Sequence, residues 1–284
     1  MVPIALNRYE ISVGQLIYLM SITTTTLFYI TSRYYNKEIW DIKPSMQWDL
    51  FWRVMTGVGC DVFLFLAYEY TYYSQAFALF WAGALSVPFF AACLLGEKIK
   101  KWDIIGILSG IIGMLMITSA IKSTESKSVI SILFGDFLAI IGALTASLAL
   151  VYIRKITSEE YCKGNQIFWS VQTFWFMFGL LNSSVLWQYF AFDYRRTEYS
   201  LELYLWTFAM GVIFVVQQSL FVVALKIVGA GSVAVINYLA IPFSYFLDFL
   251  FFGRAFGVME LAGGCLIFLT NVLITWARIK KYID

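Results

Sequence analysis

Histidine is absent from this sequence. That removes the commonest general base and the commonest metal ligand of proteins. Charge is scarce as well. Asp, Glu, Lys and Arg make up 13% of the 284 residues, against about 25% in a soluble domain. The two signs nearly balance, with a formal net charge of +2, so there is no basic surface of the kind that binds nucleic acid. The four cysteines, Cys60, Cys93, Cys162 and Cys265, form no Cys-x-x-Cys pair, and three of them lie in apolar runs. They read as small buried thiols and not as a disulfide framework or a zinc site. Neither a GxxxxGK[ST] phosphate loop nor a nucleophile elbow occurs. These absences argue against an enzyme, a metal centre, a bound cofactor and an ATP-driven pump. The N-terminus, MVPIALNRYE, lacks a short apolar core followed by a cleavage site, so no cleaved signal peptide is expected.

What is abundant is apolar surface. Hydrophobic residues make up 61% of the chain and aromatics 19%, including 10 Trp and 18 Tyr. Trp and Tyr favour the membrane–water boundary. A spanning helix needs about 20 mostly apolar residues, because only a helix or a closed barrel satisfies its backbone in lipid. Nine segments qualify: 13–33, 51–71, 77–95, 103–121, 130–153, 166–190, 202–225, 232–252 and 258–278. The expected class is an all-α polytopic membrane protein with about nine transmembrane helices. The first segment is the most polar, but the hydroxyls of Thr23–Thr26 can bond carbonyls one turn back. Counting Lys and Arg on alternate sides puts 6 on the N-terminal side and 14 on the other, which together account for all 20. Cationic residues mark the cytoplasmic side. The C-terminus is therefore expected in the cytoplasm, or on the matrix side of a mitochondrion.

A shift of 157 residues brings the chain onto itself. Gly96 falls on Gly253, Gly106 on Gly263, Ala67 on Ala224, Trp81 on Tyr238 and Asp103 on Glu260. Two repeats follow, at 1–121 and 129–281. The second has five spans and the first has four, since the partner of 130–153 would lie before Met1. An odd number of spans per full repeat inverts one copy relative to the other. The turn at Lys98–Lys101 and its partner at Arg254 accordingly fall on opposite sides. Inverted repeats recur in transporters, with substrate sites near the midplane between the halves.

Two stretches carry a family likeness: AFALFWAGALSVPFFAACLLGEKIKKWDIIGILSGIIGMLMI (Ala76–Ile117) and GSVAVINYLAIPFSYFLDFLFFGRAFGVMELAGGCLIFLTNVLI (Gly231–Ile274). Each has a proline-containing helix ending at a glycine and then a glycine-rich closing helix. With Gly96-Glu97 and FGDFLAIIGALTASLALVYIRKI (Phe134–Ile156), the chain resembles the drug/metabolite transporter superfamily, the EamA-type repeat shared with nucleotide-sugar and triose-phosphate carriers. The second copy departs from the pattern, with Arg254 where Glu is usual. The resemblance implies ten helices around a central cavity, a cytoplasmic C-terminus, and exchange or uniport of small organic solutes in a lipid bilayer. The first helix of that pattern has no counterpart here, and in the family it helps line the cavity. A second reading therefore stands beside the carrier: a transporter-derived accessory subunit of a larger membrane complex, with other subunits covering the missing-helix side and no transport activity of its own.

Ionisable and amide side chains deep in spans are candidates for function. Asp61 lies near the middle of the second segment, and its repeat partner Gln218 adjoins Gln217. Asp248 lies about four residues before the end of its segment. Asn237 and Tyr238 match Phe80 and Trp81 of the other copy. Asp61, Trp81, Gln217, Gln218, Asn237, Tyr238 and Asp248 together are the candidate solute-binding residues, a polar and aromatic set suited to an organic solute. Each has a plainer reading too: an interhelical hydrogen bond for Asp61 and the glutamines, an interfacial position for Asp248, and packing for Trp81 and Tyr238. Asp136, near a helix start, reads as favoured by the helix dipole, and the Gly106–Gly110 pair as close helix packing.

Overall fold

The computed structural model describes residues 9, 11–96, 101–119, 128–162, 164–190, 200–228, 240–253 and 256–279. Among them every regular element is helical. In chain order these are α1 (Val13–Tyr34), α2 (Pro44–Tyr70), α3 (Tyr73–Ala82), α4 (Val87–Leu95), α5 (Lys101–Ser119), α6 (Val129–Thr157), α7 (Glu159–Cys162), α8 (Trp169–Phe190), α9 (Leu201–Val228), α10 (Ala240–Phe252) and α11 (Val258–Ile279). Five stretches are long and apolar enough to cross a membrane: Val13–Tyr34, Pro44–Tyr70, Tyr73–Leu95, Val129–Thr157 and Leu201–Ala224. Shorter apolar stretches, Ile104–Ile117 and Val258–Ile274, lie within α5 and α11. α8 is 22 residues long, but Gln172, Thr173 and Asn182 make it more polar.

Local chemistry explains the helix ends. α1 starts at a capping box, in which Ser12 Oγ accepts from the Gln15 N–H and Gln15 Oε1 accepts from the Ser12 N–H. Its polar run is neutralised internally, since Thr24 donates to the Met20 carbonyl and Thr26 to the Ile22 carbonyl. α2 begins at Pro44, ahead of the expected 51, because proline suits a first helical turn. The Tyr73–Leu95 stretch is interrupted: residues 83–86 form a 3-10 turn, and Pro88 lies in the first turn of α4, where its missing N–H is not needed. The Gly83 carbonyl is taken up by Ser86 Oγ at 2.7 Å and by Ser147 Oγ of α6 at 2.6 Å. Gly96 ends α4 at φ 73°, and Gly253 follows α10 at φ 61°. Both are left-handed helix stops that favour glycine.

The repeat is visible in the helix bounds. Moving α1 by 157 residues gives 170–191, against Trp169–Phe190 for α8. The same shift takes α2 to 201–227, onto α9, and α5 to 258–276, onto α11.

The chain divides into two compact units, each drawn from both halves of the sequence. One comprises Met1–Val58 with Tyr152–Ile227, the other Gly59–Val151 with Val228–Asp284. In the first unit α1 packs along its own repeat partner, α8. Phe28 is fully buried against Phe174, Phe176 and Met177, and Ser32 and Ser170 hydroxyls meet at 2.8 Å. Leu16 and Met20 pack with Leu203 and Met210 of α9. Met46 and Leu50 pack with Ile156, Ile167 and Val171. Lys155 pairs with Asp49 at 2.7 Å, and the Cys162 thiol donates to the Lys155 carbonyl. Burial, aided by the Asp49 charge and opposed by Lys155, pushes the Cys162 thiol up from its ordinary range.

In the second unit the repeat partners α5 and α11 again lie side by side, and α3 packs on α10. α5 and α11 cross at Gly113 and Gly263, where a side chain on Gly263 would start 2.6 Å from the Gly113 carbonyl. Gly106 and Gly110, the expected packing pair, are buried in the same helix. The outward stripe of α5 is apolar, with Ile104, Leu108, Ile111 and Leu115 all exposed, as lipid contact requires. The thiols need one correction. Cys60 and Cys162 are buried, but Cys93 and Cys265 are exposed, because an apolar run in a membrane helix presents residues outward as well as inward.

Candidate functional site

Asp61 and Trp81 belong to the second unit. Asp61 lies in the C-terminal part of α2, half-buried, and Cys60 Sγ donates to its Oδ1 at 3.7 Å. Trp81 is half-buried at the end of α3, immediately before the 3-10 interruption. Phe77 and Phe80 hold its ring edge-to-face at 6.0 and 5.6 Å. Its indole Nε1–H is shielded and meets no acceptor among the described residues. A buried donor without an acceptor is costly. Here it sits beside a helix break, the kind of element that builds sites in transporters.

Gln217 and Gln218 lie in α9 and belong to the first unit, Gln217 exposed and Gln218 half-buried. Sequence reasoning placed Gln218 opposite Asp61 by repeat position, and the structure assigns the two to different units. Asp248 falls in α10, four residues from its end at Phe252. Asn237 and Tyr238 lie outside the described residues.

Sequence reasoning passed over two arrangements. Asp136 is 2% exposed and sits beyond the first turn of α6, too far in for the helix dipole to explain it. Its carboxylate accepts from Gln75 Nε2 at 2.9 and 2.7 Å and from Thr71 Oγ1 at 3.0 Å. The Ser131 hydroxyl donates to the Tyr70 carbonyl nearby. The acid was legible in its apolar run; its donors, Thr71 from the α2–α3 turn and Gln75 from the first turn of α3, were not. The second arrangement is Arg53, counted from the sequence as a charge at the cytoplasmic edge. It is 2% exposed, in the third turn of α2, with its guanidinium carbon 4.5 Å from the centre of the Phe176 ring. Gly57, one turn on, leaves this space open, since a Cβ there would meet Phe176 at 2.8 Å.

Comparison with known proteins bears on this arrangement. None of the curated proteins matches. Twenty-eight chains of solved structures do. One, described only as a crystal structure of a protein, superposes with a TM-score of 0.66 over 94% of this chain and 89% of its own, at 15% identity. That likeness shows the fold alone. The model of the EamA-like transporter family matches twice, over residues 3–119 and 133–276. With two family repeats over most of its length and helices apolar enough to span a bilayer, this integral multi-pass membrane protein belongs to the EamA-like transporter family.

Proposed function

We propose that the chain is a secondary carrier for small organic solutes and not an enzyme, working by rocking of two inverted repeats with the C-terminus in the cytoplasm. The observation that carries this reading is the family match over both repeats. The coincidence of helix bounds under a 157-residue shift supports it. In this reading nine helices cross the bilayer, four from the first repeat and five from the second. Trp81, with its aromatic neighbours and its hydrogen-bond donor beside the helix break, contacts the solute. Asp61, Gln217, Gln218, Asn237, Tyr238 and Asp248 supply polar contacts as the repeats move.

Reconstitution of the purified chain into liposomes with a panel of labelled solutes tests the proposal. Uptake that saturates, and that falls at least tenfold in Trp81→Ala, is the expected result. A well-folded chain that takes up none of the panel and co-purifies in mild detergent with a stable multi-subunit complex would replace the carrier with an accessory subunit.

A further inference from the structure

We infer that the Asp49–Lys155 ion pair is the latch of a gate at the cytoplasmic end of the first unit, closed in this structure, and that parting the two repeats there uncovers Cys162. The inference rests on the carrier reading for the rocking motion and for which end is cytoplasmic. Its geometry lies wholly within the first unit.

That unit joins Met1–Val58 to Tyr152–Ile227, so a contact between those two segments is a contact between repeats. Four polar ones gather at one end. Lys155, in the last turn of α6, reaches Asp49 on α2 at 2.7 Å. Lys43, just before α2, donates to the side-chain carbonyl of Asn165. Trp175 Nε1 donates to the Ile39 carbonyl at 2.9 Å, and the Ser32 and Ser170 hydroxyls meet at 2.8 Å. All eight residues lie in, or within two turns of, the connections 35–43 and 158–168, on the side where cations are in excess. Rocking of one repeat against the other opens a bundle at one end and closes it at the other. Opening this end must break these contacts.

The ion pair suits a contact that forms and breaks in every cycle. The Lys155 side chain is 33% exposed and that of Asp49 17%, so water can replace each partner at small cost. Beside the pair lies an apolar seal drawn from both repeats. Met46 and Leu50 come from α2, and Ile156, Cys162, Ile167 and Val171 from the second repeat. Cys162 is 3% exposed. Its thiol hydrogen-bonds the Lys155 carbonyl, within its own repeat. Separation therefore leaves Cys162 with Lys155 and takes Met46 and Leu50 away, which opens the thiol to water.

The test uses the full chain in detergent. Alkylation by N-ethylmaleimide is followed cysteine by cysteine through mass spectrometry of the peptides. Cys60, buried in the second unit, is the control for general loosening. In the parent, Cys162 should react slowly. Asp49→Asn and Lys155→Met should each speed its reaction about two- to fivefold, the shift in opening that a partly exposed pair commands, and leave Cys60 at the parent rate. The direction separates a latch from a mere effect on the thiol. Asp49 holds the Cys162 thiol up and Lys155 pulls it down, so an effect on the thiol alone would make Asp49→Asn faster and Lys155→Met slower. Exchanging the charges, Asp49→Lys with Lys155→Asp, should restore slow reaction. The inference is overturned if the two single variants move in opposite directions, if neither departs from the parent, if the exchange reacts as fast as the singles, or if Cys60 speeds up as much as Cys162. Latch behaviour without liposome uptake would leave the gate standing and remove the carrier reading. Saturable uptake with Cys162 indifferent to the pair would do the reverse.

Discussion

Asp136 shows how much a single residue owes to its surroundings. Its carboxylate is buried, and the Gln75 amide reaches both oxygens while Thr71 reaches one. A hydrogen bond to a charged group contributes about 1.5–3 kcal/mol, and losing it leaves the acceptor desolvated. Gln75→Leu should therefore destabilise the chain by about 2–3 kcal/mol, and Thr71→Val by about 1 kcal/mol. In a detergent melting experiment these are drops of roughly 5–10 °C and roughly 2–4 °C. A Gln75→Leu chain that melts with the parent would show that Asp136 does not depend on that amide. The neighbouring threonines of α1 behave differently. Their bonds run to carbonyls three or four residues back, so they were readable from spacing alone.

At the scale of the element, hydropathy located the helices and local chemistry adjusted their ends. The interruption at residues 83–86 was not readable, although Pro88 marked the neighbourhood. What permits it is on another helix: Ser147 donates to the Gly83 carbonyl, and α6 lies close enough that a Cβ on Gly83 would meet the Ala143 backbone at 2.8 Å. A backbone neighbour cannot step aside as a side chain can. Gly83→Leu should cost at least about 2 kcal/mol, in the range of overpacked sites. Gly59, on α2, makes the contrast. A Cβ there meets nothing nearer than Thr145 Cγ2 at 3.7 Å, and alanine favours a helix over glycine by about 1 kcal/mol. Gly59→Ala should melt at or slightly above the parent. Equal losses in the two variants would mean that the 3-10 turn does not press on α6 as tightly as described.

For the whole molecule, cationic residues crowd one set of expected connections, 14 of the 20. That bias orients membrane helices during insertion. A C-terminal fluorescent fusion should fold and fluoresce in the cytoplasm, and a C-terminal epitope should resist protease in intact cells and be lost after permeabilisation. Cleavage of the epitope in intact cells would reverse the orientation.

Membrane class, helical character and the repeat can all be read from the amino-acid order. Each follows from regularities of the chain itself: apolar runs of bilayer length, glycines in matching places, and a shift of 157 residues that brings like residues together. Depth in an apolar segment did not tell where a side chain would lie. Trp81 proved to sit at a helix break with its donor unmet, while Gln217 is exposed. Which elements meet became visible in the fold alone. It paired α1 with α8 and α5 with α11, and drew each compact unit from both halves of the chain. It buried Arg53 on Phe176 and gave Asp136 its donors 61 and 65 residues away. The reason is physical. Apolar periodicity says that a helix face must be covered, but lipid and protein can both cover it. Which of them does so depends on shape and on hydrogen-bond partners far apart in the chain.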